Sequence, residues 1–174
     1  MKGLIHIYCG DGKGKTTAAM GLAVRAAGSG MKVVLTQFMK GDNSSEISII
    51  EKIENISLIF CKKNFGFVWN MTEDEKKEAA QGYSEQFEQA VKLAVETDAD
   101  MLVMDEFMSC YGYGFIDNKR ALEFLKNKPE KLEIVLTGRN PAAELCEVAD
   151  YITEMKKIKH PFDNGVGARK GIEG

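Results

Sequence analysis

A glycine-rich run near the start of the chain carries the residue types that bind phosphate. Its order is Gly10-Asp11-Gly12-Lys13-Gly14-Lys15-Thr16-Thr17. An apolar, strand-like stretch precedes the run and an alanine-rich, helix-like stretch follows it, which is the layout of a P-loop. Backbone N–H groups of such a loop can surround an anion, Lys15 adds a full charge, and Thr16 can ligate magnesium. A flexible turn is the alternative, but it gives no reason for Gly-Lys-Thr in register with both elements.

The loop departs from the common P-loop pattern at its first position. That pattern has a glycine five residues before the glycine of Gly-Lys-Thr, and Cys9 occupies this position here. The first glycine is Gly10, and Lys13 adds an extra cation. We therefore expect a variant loop, one residue tighter at its start, that binds a polyphosphate.

Two acids end an apolar run in the middle of the chain. The run Met101-Leu102-Val103-Met104-Asp105-Glu106 reads as an apolar strand that ends in the two acids. At the carboxyl end of a strand beside a P-loop, such acids hold magnesium directly or through water. The alternative is an acidic strand end that faces solvent, and the pairing with a P-loop favours the magnesium role.

Polar residues also follow two other candidate strands. Gln37 and Lys40 follow one, and Arg139 follows another in the order Thr137-Gly138-Arg139-Asn140. In a parallel sheet, ligands bind at the carboxyl ends of the strands. We expect Gln37 and Lys40 near a nucleotide, and Arg139 either on phosphate or ribose or as an ordinary surface arginine.

Three aromatic residues stand in a polar segment, at Phe65, Phe67 and Trp69, and Trp69 is the only tryptophan. One interpretation is a buried cluster under a long loop. The other is an apolar wall for a large flat ligand.

The last segment, from Lys156 to Gly174, combines basic residues with glycines. Its length and glycine content favour an ordered loop that closes over a ligand. A solvated basic tail is the alternative.

The elements that would position these residues alternate between strand and helix. The first helix follows the P-loop and ends at Gly28 and Gly30, a second starts with a capping box at Thr72, a third spans about Asp117 to Asn127, and a fourth opens at Asn140-Pro141. This alternation predicts one domain over residues 1–174, with a parallel sheet covered on both faces. The candidate strands are Leu4 to Cys9, Lys32 to Phe38, Ile56 to Cys61, Met101 to Asp105, Glu133 to Thr137 and Tyr151 to Met155.

Composition excludes several classes of protein. The 174 residues are 44% hydrophobic and carry a net charge of −3, which disfavours a nucleic-acid binder. We find no 18-residue apolar run and, with Met1-Lys2 next to the first strand, no signal peptide, so we expect a cytoplasmic protein. The four cysteines form no CxxC pair and indicate free thiols, and with two histidines they show no zinc-ligand spacing.

Together these segments resemble the P-loop branch of the ATP:corrinoid adenosyltransferase family, over nearly the whole chain. The TGR strand end and the KHPFDNGV tail are the specific features. The matching segments are GDGKGKTTAAMGLAVRAAGSG, VVLTQFMKG, FGFVWN, VMDEF and VLTGRNPAAELCEVADYITEMKKIKHPFDNGVGARKGIEG.

The resemblance implies a fold and a reaction. The fold would be a single-domain, RecA-like, three-layer α/β P-loop fold with a mostly parallel sheet of about six strands. The reaction would transfer the 5′-deoxyadenosyl group of ATP to the reduced cobalt of a corrinoid and release triphosphate, in adenosylcobalamin biosynthesis or salvage. Mg²⁺, a cellular reductant for cobalt and a homodimer are further expectations.

The resemblance also implies roles for individual residues. Lys15 and Arg139 would be catalytic, and Thr16 would bind the metal with Glu106 as first choice of acid and Asp105 as second. Phe67 and Trp69 match the aromatic pair on the lower face of the corrinoid, with His160 and Phe162 from the tail also on that substrate. The nucleotide would contact Gly10, Asp11, Gly12, Lys13, Gly14, Lys15, Thr16, Thr17, Gln37, Lys40 and Arg139.

This sequence departs from the family's pattern in two places. Asp11 stands where relatives often carry Asn, and an acid beside phosphates needs a partner, for which Lys13 is the candidate. Relatives often have an extra N-terminal segment that helps to cover the corrinoid across a dimer, whereas this sequence starts at the first strand.

Two other functions compete with adenosyl transfer. A P-loop kinase or ATPase would act at the γ-phosphate, and ADP among the products would favour it. A binding module for corrinoid or nucleotide would bind both without turnover.

Overall fold

The computed structural model describes residues 2–40, 45–61, 63, 65–66 and 68–172. Six strands form one sheet in the order β3-β2-β4-β5-β1-β6, and every strand pair is parallel. The strands are β1 Ile5–Cys9, β2 Val33–Gln37, β3 Ile56–Ile59, β4 Met101–Asp105, β5 Glu133–Thr137 and β6 Tyr151–Glu154. The α/β prediction is therefore confirmed, with a sheet that is parallel throughout.

Helices cover both faces of the sheet. Successive side chains of β4 point to opposite faces, so Met101 and Val103 pack with the first helix while Leu102 and Met104 join the larger core on the opposite face. Both β2 and β4 are buried along their whole length, as expected for central strands covered on two sides. The α-helices are α1 Lys15–Gly28, α2 Ile47–Ile50, α3 Glu73–Glu96, α4 Phe107–Gly112, α5 Asn118–Lys126 and α6 Ala143–Val148.

Local sequence signals account for two of these helices. Thr72 and Glu75 form the predicted capping box at the start of α3, each satisfying the other's backbone N–H. Asp117 caps α5 by accepting a hydrogen bond from the Arg120 N–H. These caps fix where the two longest helices of that face begin.

The predicted start of the fourth helix at Asn140-Pro141 is wrong. That helix begins at Ala143, with Ala142 as its N-cap. Asn140 instead has φ 49°, and Gly138 before it has φ 144°, so the chain makes a left-handed turn after β5 that an Asn can adopt. The short helices α2 and α4 were not predicted, because four to six apolar residues do not distinguish helix from strand.

Among the residues that the structure describes, none of the helices combines the length and the hydrophobicity that a membrane-spanning segment needs. All four cysteines are free thiols. Two short 3₁₀ helices, Val68–Asn70 and Pro161–Asn164, lie in the aromatic segment and in the tail.

Candidate active site

The P-loop connects β1 to α1, and its glycines are required by close contact with the end of β6. Gly10 has φ 102° and Gly14 has φ 115°, in the region that favours glycine. A Cβ at Gly10 or Gly12 would lie 2.5 Å from the carbonyl oxygen of Met155. The Gly12 N–H donates to that same oxygen at 2.6 Å. Cys9 still belongs to β1, so the first glycine is needed one position later than in the common pattern.

Lys15 is the first residue of α1 and is only 8% exposed. Its Nζ donates to the carbonyl oxygen of Gly12 at 2.8 Å. Burial lowers the pKa of Lys15, and the Glu106 carboxylate opposes this shift while the Arg139 cation adds to it. The ammonium is therefore poorly solvated and surrounded by loop backbone, where a phosphate group would compensate it.

Asp105 is the central polar residue of the site and is fully buried. Its carboxylate accepts hydrogen bonds from Thr16 Oγ1 at 3.0 Å and from Thr137 Oγ1 at 2.6 Å. Gln37 Nε2 and Lys40 Nζ each donate to it at 3.1 Å. The four donors come from α1 and from the carboxyl ends of β5 and β2, because β4 lies between β2 and β5 in the sheet.

Thr16 and Asp105 together can hold a divalent cation. A hydroxyl and a carboxylate oxygen are hard donors of the type Mg²⁺ prefers. The Lys40 ammonium already lies 3.1 Å from both Thr16 Oγ1 and Asp105 Oδ2, so this position accommodates positive charge. The side-chain oxygen of Gln37 is buried at the same site without a hydrogen-bond partner in the described part of the chain.

Glu106 differs from its neighbour. It has φ 56° and is the N-cap residue of α4, its N–H donates to Thr137 Oγ1 at 2.9 Å, and its carboxylate accepts from Ser109 Oγ at 2.9 Å. Of the two acids, Asp105 is therefore the one in contact with Thr16, whereas Glu106 lines the open cleft beside Lys15 and Arg139.

That cleft has a volume of about 1190 Å³. The P-loop, Lys40, Glu106 and Arg139 form its polar side. The other side is apolar and comes from α1, from the segment after β2, from α2 with the turn after it, and from the tail. Its side chains are Met20, Val24, Met39, Ile49, Ile50, Ile53, Pro161, Phe162, Val166, Ala168 and Ile172. Of these, only Phe162 is assigned to a ligand from the sequence alone.

The tail is fastened to the P-loop. Lys157 N–H donates to the Asp11 carboxylate at 2.9 Å, and this hydrogen bond lowers the pKa of Asp11. The expected partner of Asp11, Lys13, is thus replaced by the tail backbone. His160 Nδ1 accepts from the Phe162 N–H at 3.2 Å and caps the 3₁₀ helix that carries Phe162. Both tail residues line the cleft, and their assignment to the corrinoid stays a prediction.

The aromatic segment divides into different environments. Phe65 packs edge-on against Tyr83 at 5.5 Å between ring centroids and lines a separate pocket of about 220 Å³. Trp69 is 74% exposed and is not among the residues of the P-loop cleft. Phe67 lies outside the described residues. The buried-cluster interpretation therefore fits Phe65, and it does not fit Trp69, which is largely exposed.

Thr137 and Glu46 are site residues that sequence reasoning missed. Thr137 bonds Asp105, and Glu46 accepts a hydrogen bond from Gln37 Nε2 at 3.1 Å while lining the cleft. Thr137 is the polar residue at the end of β5, just before Gly138, and this position could have predicted that it belongs to the site. Nothing in the sequence around Glu46 connects it to Gln37.

Comparisons with solved structures establish the fold alone. A KaiC-like protein from Pyrococcus horikoshii is similar with a TM-score of 0.61 at 16% identity, covering 91% of this chain and 75% of that one. The ATPase 2 and 3 region of EssC from Geobacillus thermodenitrificans gives a TM-score of 0.53 at 13% identity, covering 99% of this chain and 36% of that one.

Comparisons of sequence are more specific. A corrinoid adenosyltransferase from a Sinorhizobium species is 38% identical over 99% of this chain and 80% of its own length. The corrinoid adenosyltransferase of Escherichia coli K12 is 33% identical over 99% of this chain and 86% of its own length. The family model for ATP:corrinoid adenosyltransferase BtuR/CobO/CobP matches residues 1–174. The chain therefore belongs to the ATP:corrinoid adenosyltransferase family.

Proposed function

We propose that the cleft binds ATP on the P-loop and a corrinoid against its open side, and transfers the 5′-deoxyadenosyl group to cobalt with release of triphosphate. The observation that carries the proposal is the cleft itself. It joins a phosphate-binding loop to a broad apolar surface in one open space of about 1190 Å³. A site for phosphoryl chemistry alone has no need of that apolar surface.

The polar side suits a departing triphosphate. In the transfer, cobalt(I) supplies the electron pair of the new cobalt–carbon bond, the C5′–O bond breaks, and its electron pair leaves on the triphosphate. Lys15, Arg139 and the loop N–H groups are preorganised for that growing charge, and loss of one such group costs about 10²–10³ in rate. The nucleophile belongs to the substrate, so the protein supplies position and electrostatics.

Mg²⁺ is part of the proposal, with Thr16 and Asp105 as its protein ligands. Their oxygen atoms converge on the position of the Lys40 ammonium, and the buried side-chain oxygen of Gln37 has no hydrogen-bond partner among the described residues. The ion would neutralise phosphate charge when bound. Lys15 and Thr16 are consecutive residues at the start of α1, so a nucleotide whose phosphates contact Lys15 would also lie beside Thr16.

The corrinoid side rests on exposed apolar residues. Phe162 is 70% exposed and Ile172 54% exposed, although both line the cleft. Exposed apolar side chains at a cleft are typical of a ligand surface. Trp69 and Phe67 remain assigned to the lower face of the corrinoid by the family pattern.

The cellular setting follows from the chemistry and the surface. Cobalt must be reduced before it attacks carbon, so a cellular reductant is a partner of the reaction. Free cysteines are usual in the reducing cytoplasm, where we place the protein. A homodimer is supported by β6, an edge strand whose four residues are all exposed, with Tyr151 at 51% and Ile152 at 49%.

The proposal is tested on the corrinoid product. The protein is incubated with ATP, Mg²⁺ and a chemically reduced corrinoid, and the corrinoid is analysed by mass spectrometry. We expect a gain of one deoxyadenosyl group, lost again on illumination because the cobalt–carbon bond is photolabile. An unchanged corrinoid in a sample that consumes ATP would instead support the kinase or ATPase function, and tight binding of both substrates without consumption would support a binding module.

A further inference from the structure

Lys40 occupies an unusual position at the carboxyl end of β2. The residue before it, Met39, has φ 59°, which is uncommon for a residue with a long side chain. Both residues line the cleft. Strained backbone of this kind concentrates at functional sites.

The Lys40 ammonium contacts the same two groups that would ligate a metal ion. Its Nζ lies 3.1 Å from Thr16 Oγ1 and 3.1 Å from Asp105 Oδ2, and Thr16 itself bonds Asp105. A magnesium ion needs oxygen ligands at about 2.0–2.1 Å. The ammonium and the ion therefore cannot bind these two oxygens at the same time.

The burial of Asp105 explains why a cation is needed beside its carboxylate before any nucleotide binds. The Asp105 side chain is fully inaccessible, whereas that of Lys40 is 31% exposed. A buried carboxylate needs compensating charge, and Lys40 is the cationic side chain that contacts it among the described residues. Because the lysine stem is flexible and partly exposed, the ammonium can leave towards the cleft when a divalent ion replaces it.

We propose that Lys40 is an internal cation that holds the metal position in the nucleotide-free protein and excludes divalent ions until the nucleotide brings one. Metal binding is then coupled to phosphate binding, and such coupling is reciprocal. The inference rests on the proposed role of Thr16 and Asp105 as magnesium ligands.

The test uses Mn²⁺ in place of Mg²⁺ and inorganic triphosphate as the phosphate ligand. Protein-bound Mn²⁺ is measured by equilibrium dialysis at a fixed concentration of free Mn²⁺, so that Mn²⁺ held by triphosphate in solution is not counted. In the wild type we expect weak Mn²⁺ binding that triphosphate strengthens. In Lys40→Met, which removes the charge but keeps an unbranched side chain, binding without triphosphate should tighten by about tenfold or more. Triphosphate should then strengthen it much less than in the wild type.

Two further variants separate this exchange from a general loss of positive charge. Lys13→Met removes a cation from the same cleft without touching Thr16 or Asp105, so its effect on Mn²⁺ affinity in the absence of triphosphate should be no more than about threefold. Lys40→Arg keeps the charge and should exclude Mn²⁺ as the wild type does. Lys40→Met/Asp105→Asn should lose the gained affinity, and circular dichroism of each variant reports whether it is folded.

The inference is overturned if Lys40→Met changes Mn²⁺ affinity no more than Lys13→Met does, or if Lys40→Arg behaves like Lys40→Met. Failure of the wild type to bind Mn²⁺ even with triphosphate would overturn both the inference and the magnesium role. The corrinoid product assay on the same wild-type sample keeps these outcomes apart from a failure of adenosyl transfer itself.

Discussion

At the scale of single residues, the site depends on one cation and one carboxylate that are both removed from water. Lys15 is held by the Gly12 carbonyl, and burial lowers the pKa of its ammonium. Asp105 is surrounded by donors from α1, β2 and β5. Charges held this way lose little energy to reorganisation during a reaction.

Replacing Lys15 by alanine should remove turnover while leaving the fold intact, because the side chain contacts phosphate in the proposed complex and only one carbonyl in the free protein. We expect a loss of at least about 10²-fold in kcat/KM. The matched control is Lys92→Ala, an exposed lysine of α3 whose Nζ lies 3.8 Å from Glu96. Initial rates and thermal unfolding of both variants distinguish a loss of catalysis from a loss of stability. Near wild-type rates in Lys15→Ala would refute the P-loop assignment.

Replacing Trp69 by alanine should separate the two halves of the site. Because Trp69 is 74% exposed and lies off the P-loop cleft, ATP affinity and melting temperature should hardly change. Adenosylation should fall, most of all for a corrinoid that carries its own lower ligand, since in the proposed complex apolar contact with Trp69 would keep that ligand off cobalt. The control is Tyr113→Ala, which removes an exposed aromatic side chain at the end of α4. If Trp69→Ala instead lowered the melting temperature and reduced activity equally for every corrinoid, a role of Trp69 in corrinoid binding would be contradicted.

At the scale of elements, the P-loop is shaped by its contact with the end of β6. Alanine at Gly12 would bring a Cβ to 2.5 Å from the Met155 carbonyl oxygen, which is backbone and cannot give way easily. The loop and the start of the tail must then move apart.

Gly12→Ala should therefore weaken triphosphate binding by about tenfold or more and destabilise the fold by about 1–3 kcal/mol. Gly28→Ala is the control, because this glycine ends α1 and a Cβ there meets nothing within 4 Å. That variant should be neutral or stabilising by up to about 1 kcal/mol. Calorimetric titration with triphosphate and denaturant unfolding give both quantities, and equal behaviour of the two variants would show that the contact with Met155 is unimportant.

The elements also show what the sequence could and could not predict. The bounds of β4 and β5 agree with prediction to the residue, because apolar, β-branched runs bordered by polar residues define buried strands. The acids at the end of β4 and the P-loop were predicted from the same logic. The contacts of Asp105 with Gln37 and Thr137 could not be predicted from the sequence. They depend on β4 lying between β2 and β5, and no local sequence pattern encodes that strand order.

At the scale of the whole molecule, the tail and the P-loop together line one large cleft. Residues 156–172 are almost entirely exposed, and the Asp11–Lys157 contact and the Gly12–Met155 hydrogen bond fasten the segment to the loop. Few buried contacts hold it beyond these, so its order should depend on the loop and on bound nucleotide.

Asp11→Ala should loosen the tail, because the Lys157 N–H loses its acceptor. We expect faster trypsin cleavage after the basic residues of the tail, and protection when ATP is added to the wild type. Asp11→Asn keeps a side-chain oxygen and should be cleaved more slowly than Asp11→Ala. Mass spectrometry of the fragments locates the cuts, and an unchanged cleavage rate in Asp11→Ala would mean that the tail is held by other contacts.

The central claim, that bond breaking occurs at carbon C5′ and not at phosphorus, is tested most directly by the phosphate product. The measurement is ³¹P NMR of a completed reaction of the wild-type protein with ATP, Mg²⁺ and chemically reduced corrinoid. The account predicts the resonances of intact triphosphate, one for each corrinoid adenosylated. Stoichiometric ADP and inorganic phosphate would contradict it.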